Sequence, residues 1–401
     1  MNMLELLAPA GTMEKLKTAF YFGADACYFA GTKYGLRAYA GNFTDDDLRE
    51  SVEFAHKMGK KAYITVNIIA HNEDFDGMVD YIKFLDSIKV DGVIVADIGV
   101  IKLIRDTCPN LDVHVSTQAN ITNKYSAKFF CDMGAKRLVL ARELSIKEIK
   151  EIRDYIPKDV EIEAFIHGAM CISYSGRCLL SNYMCGRDAN KGACVQSCRW
   201  EYTIHEKSRD NEEYPIYEDK RGTYILNSKD LNMLQHIKDL EDAGVTSLKI
   251  EGRMKSVYYV ATVVNAYRRA IDALGTNAST EELLAELNKA SHRKYTTGFY
   301  YGSDDKECLE SSSPVQTHEF MAAVIGHNEN GKVLIEQRNR FKVGDTLEVL
   351  SPTDTFNKTI IVTPMTDEKG NEVDDALAVQ QKLYLTTDLQ LQPGDILRKK
   401  I

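Results

Sequence analysis

The sequence lacks any long hydrophobic run, since no stretch reaches the roughly 18 apolar residues that a membrane-spanning helix needs. It also lacks a basic region at its start, where MNMLELLAPAG carries Glu5 inside a short apolar run, so we expect no signal peptide. Its nine cysteines are odd in number and do not resemble a secreted disulfide framework. We therefore expect a cytoplasmic protein without a membrane anchor, whose thiols stay reduced.

Two hydrolase motifs are absent as well. The sequence contains neither G-x-S-x-G, which holds the serine nucleophile of many hydrolases, nor H-E-x-x-H, which binds the zinc of many metalloproteases.

The net charge is −9, from 50 basic and 59 acidic residues. This total argues against a protein that binds nucleic acid over its whole surface, although it is compatible with a local basic site.

Short β-rich runs alternate regularly with amphipathic helical patterns over about the first 270 residues. Strands are predicted at 4–8, 26–30, 62–68, 92–96, 113–117, 137–140, 161–166 and 248–250. Helices are predicted at 12–22, 45–58, 75–88, 124–133, 145–155, 231–243 and 257–274. Thr44 is typical of a helix N-cap, and Gly59 and Gly134 follow predicted helix ends.

Strands that are almost continuously apolar and are separated by single helices indicate an α/β fold with a parallel sheet covered by helices. Eight such units favour a (β/α)8 TIM-like barrel, and an open doubly wound sheet is the alternative. From residue 319 onward, short alternating runs separated by turn residues predict a small all-β barrel. The predicted domains are a catalytic barrel at 1–294, a linker at 295–313 and the β-domain at 314–401.

A cysteine-rich insertion at 168–222 follows the seventh predicted strand, and a barrel places such a loop at its carboxyl face, where active sites of this fold lie. Its thiols read Cys171-x6-Cys178-x15-Cys194-x3-Cys198, and Cys185 is a fifth whose role is open. Thiolates gathered in one loop usually bind a metal. Scattered spacing favours a [4Fe–4S] cluster, while a zinc site and unligated thiols are the alternatives.

The segment HGAMCISYSGRCLLSNYMCGRDANKGACVQSCRW resembles the signature of the peptidase U32 family, also called collagenase-like peptidases. The resemblance continues in ELLAPAG at 5–11, GADACYFAG at 23–31, LKIEGRMKSVYYVA at 248–261 and KYTTGFYYG at 294–302. It covers most of the chain and includes a C-terminal β-domain of the kind that many members carry.

This resemblance implies a function of one of three kinds. Characterised members include oxygen-independent hydroxylases of tRNA wobble uridine, of ribosomal RNA and of the ubiquinone ring, which use prephenate and carry four-cysteine iron–sulfur sites. The cysteines of this chain are most similar to those of the tRNA-modifying branch. We therefore expect tRNA hydroxylation, with prephenate as co-substrate and, as a further partner, a second subunit of the same family. Proteolysis and an accessory iron–sulfur or RNA-binding role are the alternatives.

The resemblance also suggests which side chains form the site. A dicarboxylate such as prephenate is bound by cationic and polar side chains, and in this fold such side chains are expected at the strand ends. The predicted substrate-binding residues are Asn67, Gln118, Arg142, Lys229 and Lys255. The predicted catalytic residues are His167, Glu251 and Arg253. The predicted RNA-binding residues are Arg177, Arg187 and Arg199. For all of these, the alternative is an ordinary structural role in ion pairs, helix caps or a solvated loop.

Overall fold

The computed structural model describes residues 4–35, 41–171, 173–199, 218–219, 222–223, 229–276, 279–302 and 315–401. Parts of the predicted insertion and linker therefore lie outside the described residues. The chain divides into two compact units. The first is drawn from Met1–Leu16, Asp25–Met254 and Arg293–Pro314, and the second from Lys17–Ala24, Lys255–His292 and Val315–Ile401. Among the described residues, no helix has the length and apolar character needed to cross a membrane.

The first unit contains a closed parallel barrel. Its strands in chain order are β1 Glu5–Pro9, β2 Ala26–Phe29, β3 Lys61–Val66, β4 Gly92–Val95, β5 Val113–Val115, β6 Arg137–Val139, β7 Glu161–Ala169 and the closing strand Ser247–Ile250. Each strand pairs with the next, and the closing strand pairs in parallel with both β7 and β1, which completes the barrel. The predicted (β/α)8 barrel is confirmed, and the open-sheet alternative is wrong.

Helices connect these strands. They span Met13–Tyr21, Asp45–Lys57, Met78–Ser87, Ile98–Thr107, Lys124–Asp132, Ile146–Tyr155, Leu180–Cys185 and Ile237–Asp242. Thr44 and Ser145 each begin a helix with a capping box, in which side chain and backbone satisfy each other's free hydrogen-bonding groups. Gly59 and Gly134 end helices at positive φ, as predicted, because glycine adopts this conformation without steric cost.

The helix predicted at 231–243 begins later in the structure than the sequence indicates. Asp230–Asn232 forms a short strand that pairs antiparallel with the end of β7, with Leu231 opposite Gly168. A 3-10 turn at Leu234–His236 precedes the helix, and Tyr295–Thr296 adds a parallel neighbour to the short strand. The strand pairing is a long-range contact, which overrides the local helical pattern.

Charged side chains fill part of the barrel interior. The Arg137 guanidinium, at the start of β6, contacts Glu5 at 2.6 Å and Glu163 at 3.1 Å. The hydroxyl of Tyr63 donates to Glu5 at 2.7 Å, and Lys249 lies 2.6 Å from Glu163. Buried charges are tolerated only when they are paired in this way. The barrel is therefore held by an ion network in addition to its apolar core.

The second unit contains the helices Val257–Asp272 and Glu281–Leu287 together with the C-terminal β-structure. The predicted all-β domain is confirmed as an eight-stranded antiparallel sheet with a separate two-stranded pair. In spatial order the sheet strands are Thr359–Ile361, Thr346–Leu350, Ile396–Lys400, His318–Val324, Lys332–Gln337, Lys382–Thr386, Met365–Asp367 and Glu372–Val373, and Phe341–Lys342 pairs with Asp375–Ala376. Arg398 of the sheet donates to Glu286 at 2.8 Å, and both side chains are fully buried.

Candidate functional site

The carboxyl ends of parallel strands meet at one rim of a barrel, and most of the predicted site residues follow or end these strands. Asn67 follows β3, Gln118 lies just beyond β5, and Arg142 lies just beyond β6. Glu251 and Arg253 follow the closing strand. The fold thus brings these five residues to the same rim of the first unit. Lys255 belongs to the second unit, and its predicted role in substrate binding stays a prediction.

His167 lies near the carboxyl end of β7 and is buried. Its ring lies 5.4 Å from the ring of Tyr295, and its backbone carbonyl accepts a hydrogen bond from the Glu251 amide at 2.9 Å. Burial, reinforced by the charge of Asp230, raises the pKa of the Tyr295 hydroxyl, which therefore stays protonated at neutral pH. The histidine thus borders the rim and contacts a neutral phenol. Its predicted catalytic role stays a prediction.

Glu251 is oriented by a tyrosine that the sequence did not single out. The Tyr28 hydroxyl lies 3.1 Å from the Glu251 carboxylate and 3.0 Å from the backbone carbonyl of Ile250. The ammonium of Lys249 lies 4.3 Å from the centre of the Tyr28 ring. A cation over an aromatic face is attracted by the ring electrons. Lys249, Tyr28 and Glu251 therefore form a connected group that leads from the barrel interior to its rim.

The cationic side chains at the rim are held by neighbouring groups. Arg253 is buried and donates to the Thr65 hydroxyl at 3.3 Å. Arg142 donates to the Ala169 carbonyl at 3.1 Å, at the point where β7 ends. Lys229 is also buried. Arg253 and Arg142 are therefore fixed in place, which is a requirement for recognising a carboxylate with defined geometry.

The segment from Cys171 to Cys198, called the cysteine loop below, is fastened to this rim. The Glu143 carboxylate, beyond β6, accepts hydrogen bonds from the Ser175 amide at 2.6 Å and its hydroxyl at 2.7 Å. The Arg177 guanidinium donates to the Gln118 carbonyl, beyond β5, at 2.9 Å. Two separate contacts therefore hold the cysteine loop over the carboxyl ends of β5 and β6.

Two thiols of the cysteine loop accept hydrogen bonds from backbone amides. The sulfur of Cys178 accepts from the Leu180 amide at 3.4 Å, and that of Cys194 from the Gln196 amide at 3.3 Å. Hydrogen bonds to cysteine sulfurs are also found around iron–sulfur clusters, where they tune the reduction potential. Cys171 and Cys198 are half-buried, whereas Cys185 is exposed.

These thiols supply the right donor chemistry for an iron–sulfur cluster, but their positions do not converge. Within the described residues, no group of three or more His, Cys, Asp or Glu side chains lies close enough to hold a metal ion. The predicted cluster and its zinc alternative therefore stay predictions.

A cavity of about 480 Å³ opens beside the cysteine loop. The barrel contributes Ile69 and residues 96–99, and the loop contributes Arg177, Cys178, Leu179 and Asn190. The Asp97 carboxylate caps the following helix by accepting from the Val100 amide at 3.1 Å. This volume is within the range of small-molecule sites.

Of the predicted RNA-binding residues, Arg177 lines the cavity and Arg187 is exposed. The side chain of Arg199 lies outside the described residues.

A parallel barrel with a cysteine-rich loop over its carboxyl rim, followed by an antiparallel sheet, defines the class of protein. The model of peptidase family U32 matches residues 11–310, and the model of the peptidase family U32 C-terminal domain matches residues 316–398. The chain belongs to peptidase family U32, as the sequence resemblance predicted.

Three curated relatives illustrate the range of names in this family. "tRNA hydroxylation protein P1" of Bacillus subtilis is 43% identical over 402 residues, which cover 98% of this chain and 94% of that protein. "23S rRNA 5-hydroxycytidine C2501 synthase" of Escherichia coli is 39% identical, over 81% of this chain and 48% of that protein. "Collagenase" of Porphyromonas gingivalis is 34% identical, over 75% and 73% respectively. The names thus include RNA hydroxylation and proteolysis.

Proposed function

We propose that this protein is an RNA-modifying enzyme that hydroxylates C5 of the wobble uridine in tRNA, with prephenate as oxygen donor and a [4Fe–4S] cluster. The observation that carries the proposal is the cysteine loop, which Glu143 and Arg177 fasten over the barrel rim. Active sites of barrels of this type lie at that rim. The names of the RNA-hydroxylating relatives, one of them matched over nearly its full length, support the same activity.

The chain's own residues have separate tasks in this proposal. The cations Arg142, Lys229 and Arg253 attract the two carboxylates of prephenate to the rim. Glu251, held by the Tyr28 hydroxyl, accepts a proton from the substrate. Buried His167 closes the side of the site formed by β7 and helps to exclude water. Arg177 and Arg187 contact RNA phosphates.

The cluster would be held by Cys171, Cys178, Cys194 and Cys198, and when bound it would supply one-electron redox chemistry. The amides of Leu180 and Gln196 already donate to two of these sulfurs, and hydrogen bonds to the sulfurs are one of the factors that set the reduction potential of such a cluster. Zinc bound by the same four cysteines would supply no redox chemistry, because zinc has a single stable oxidation state in proteins.

The proposal is tested by metal analysis and nucleoside analysis together. The full chain is purified without oxygen, alongside a variant with all four cysteines changed to Ala and a control with Cys131→Ala. We expect about four iron and four sulfide per chain in the wild type and the control, and almost none in the fourfold variant. We also expect 5-hydroxyuridine, measured by mass spectrometry, in tRNA incubated with prephenate and either cluster-containing protein.

Three results would contradict the proposal. Cluster-loaded protein that forms no 5-hydroxyuridine in tRNA, with prephenate and a reductant supplied, would rule out the assigned reaction. Cleavage of gelatin by the wild type and by the fourfold variant alike would instead favour the peptidase alternative, which the name of the Porphyromonas gingivalis relative supports. A cluster without turnover on any RNA would leave the accessory role.

A further inference from the structure

The short helix Leu180–Cys185 of the cysteine loop exposes large apolar side chains. Tyr183 is 91% exposed, and Leu179, immediately before the helix, is 71% exposed. The Tyr183 amide donates to the Leu179 carbonyl at 2.8 Å, so the two residues lie one turn apart on one side of the helix. Exposed apolar groups that lie together mark an interaction site more often than single ones do. We call Leu179 and Tyr183 the exposed face.

The other side of this helix is anchored. Ser181 is buried, and its hydroxyl accepts a hydrogen bond from the Val195 amide at 3.1 Å. The Asn190 side chain donates to the Cys178 carbonyl at 3.4 Å, just before the helix. The exposed face is therefore displayed by a fixed support. Because the backbone beneath the Tyr183 ring is already ordered, only the side chain loses conformational freedom when it binds a partner.

The segment that carries the exposed face is basic in composition, in contrast to the net charge of −9 of the whole chain. Residues 168–200 contain four basic side chains and a single acidic one, Asp188. The Asp188 carboxylate accepts from the Asn190 amide at 2.7 Å, which directs it toward the loop's own backbone. Exposed aromatic rings combined with arginines are the usual composition of a surface that binds single-stranded nucleic acid.

The exposed face also borders the cavity described above, since Leu179 is shared by both. A cavity of about 480 Å³ is large enough for a nucleoside. An enzyme that modifies a base must take that base out of its stack, and a neighbouring base then needs a new surface to stack on. The position of Tyr183 is suited to provide it.

We infer that the exposed face binds single-stranded RNA, with the Tyr183 ring stacking on an unpaired base next to the nucleotide that enters the cavity. This inference rests on the proposed function, in which RNA is the substrate, and assigns a particular binding residue to it. Stacking on Tyr183 is tolerant of base identity, because every base has an aromatic face. The exposed face therefore recognises that a base is unpaired, and the cavity selects the base to be modified.

The test is a binding titration of the full chain with two fluorescent RNAs. One is a stem-loop with uridines in its unpaired loop, and the other is a blunt duplex of the same length. We expect Tyr183→Ala to weaken stem-loop binding about 10- to 100-fold and to leave duplex binding almost unchanged. Tyr183→Phe should bind like the wild type, because the ring is retained.

Tyr125→Ala is the matched control, since Tyr125 is 67% exposed and belongs to the helix Lys124–Asp132 rather than to the cysteine loop. It should bind both RNAs like the wild type. Because Tyr183 is almost fully exposed, its removal should leave the melting temperature unchanged, which excludes misfolding as a cause.

The outcomes separate this inference from the proposed function. Equal stem-loop affinity of Tyr183→Ala and wild type would overturn the inference, even if the wild type hydroxylates tRNA. A Tyr183-dependent affinity for the stem-loop without any hydroxylated product would retain the inference and overturn the proposed function. If Tyr183→Ala changes only the self-association of the protein, seen in sedimentation, then the exposed face binds a protein and the inference is wrong.

Discussion

Glu163 accepts a hydrogen bond from Lys249 at 2.6 Å, and the other oxygen of the same carboxylate lies 3.1 Å from Arg137. All three side chains are buried inside the barrel. The carboxylate therefore joins a cation at the start of β6 to one near the end of the closing strand, and through Lys249 it reaches Tyr28 at the rim. The interior of the barrel thus both supports the fold and positions groups of the site.

The first prediction concerns the free energy of unfolding. Lys249→Met keeps a side chain of similar length but removes the charge opposite Glu163. We expect a loss of about 3 kcal/mol, because removing one partner of a buried ion pair leaves the other insufficiently compensated. The measurement is urea unfolding of the full chain. The control is Lys102→Met, which breaks an exposed pair with Asp106 and should cost about 0.5 kcal/mol or less. Equal losses in the two variants would contradict a role for the buried pair.

The second prediction concerns pH. Burial raises the pKa of Glu5, but the charge and hydrogen bonds of Arg137, together with hydrogen bonds from Tyr63 and Ser247, lower it by more, so the pKa lies below 4.5 in the folded protein. A lowered carboxyl pKa contributes stability that is fully present above the unfolded-state pKa and is lost as the pH falls through the folded-state pKa. Melting temperatures should therefore fall steeply below about pH 4.5.

Glu5→Gln tests this assignment. The variant should be less stable than the wild type at neutral pH, and the difference should shrink as the pH falls, because the wild type loses the contribution of this carboxylate. Glu53→Gln, on the exposed side of the helix Asp45–Lys57, should follow the wild-type profile. A constant difference between Glu5→Gln and wild type across the acidic range would argue against the titration of Glu5.

The third prediction concerns the anchor of the cysteine loop. Ser175→Ala removes the hydroxyl that donates to Glu143 at 2.7 Å. Local opening of the loop should become about tenfold more frequent, whereas the barrel should melt at the wild-type temperature. Limited trypsin digestion followed by mass spectrometry should detect faster cleavage after Arg177 and Arg187. Ser87→Ala, which removes an exposed hydroxyl bonded to the Phe84 carbonyl, should leave this rate unchanged.

The fourth prediction concerns Tyr28 as a positioning residue for Glu251. Tyr28→Phe keeps the aromatic ring beside Lys249 but removes the hydroxyl that contacts the Glu251 carboxylate. We expect kcat for uridine hydroxylation to fall about tenfold with little change in KM for tRNA, because the loss affects the orientation of one acid–base group. The pH profile of kcat should also shift, which a purely structural role would not produce.

Tyr63→Phe provides the comparison for this variant. Its hydroxyl donates to Glu5, at the amino end of β1, far along the barrel from the rim. This variant should lose stability and keep its kcat. If both variants lower kcat equally, then the contact between Tyr28 and Glu251 has no special role in the reaction.

The barrel was predictable because its signals are local. Each strand is an almost continuous apolar run, and residues such as Thr44 and Gly59 mark where helices begin and end. The start of the helix after residue 230 was not predictable, because Asp230–Asn232 is held by pairing with β7, which is far away in sequence.

The site was predictable only in part. The place of the cysteine loop follows from the order of strands, but the bonds of Glu143 to Ser175 and of Arg177 to Gln118 join residues from separate parts of the chain. Tyr28 resembles any core aromatic residue in a buried strand. Lys249 did carry a signal, since a lysine inside an apolar strand must have a partner, but the sequence does not name Glu163 as that partner.

The second unit joins residues that are far apart in the chain, which has a consequence for its folding during synthesis. Glu286 follows the helix Val257–Asp272, yet its buried partner Arg398 lies on the strand Ile396–Lys400. On the ribosome, Glu286 is synthesised more than a hundred residues before Arg398. Lys289, three residues later, also lies 3.0 Å from this carboxylate, but the bidentate contact with Arg398 forms only when that strand emerges. Premature termination before Arg398 would therefore leave helical segments made much earlier without their final packing.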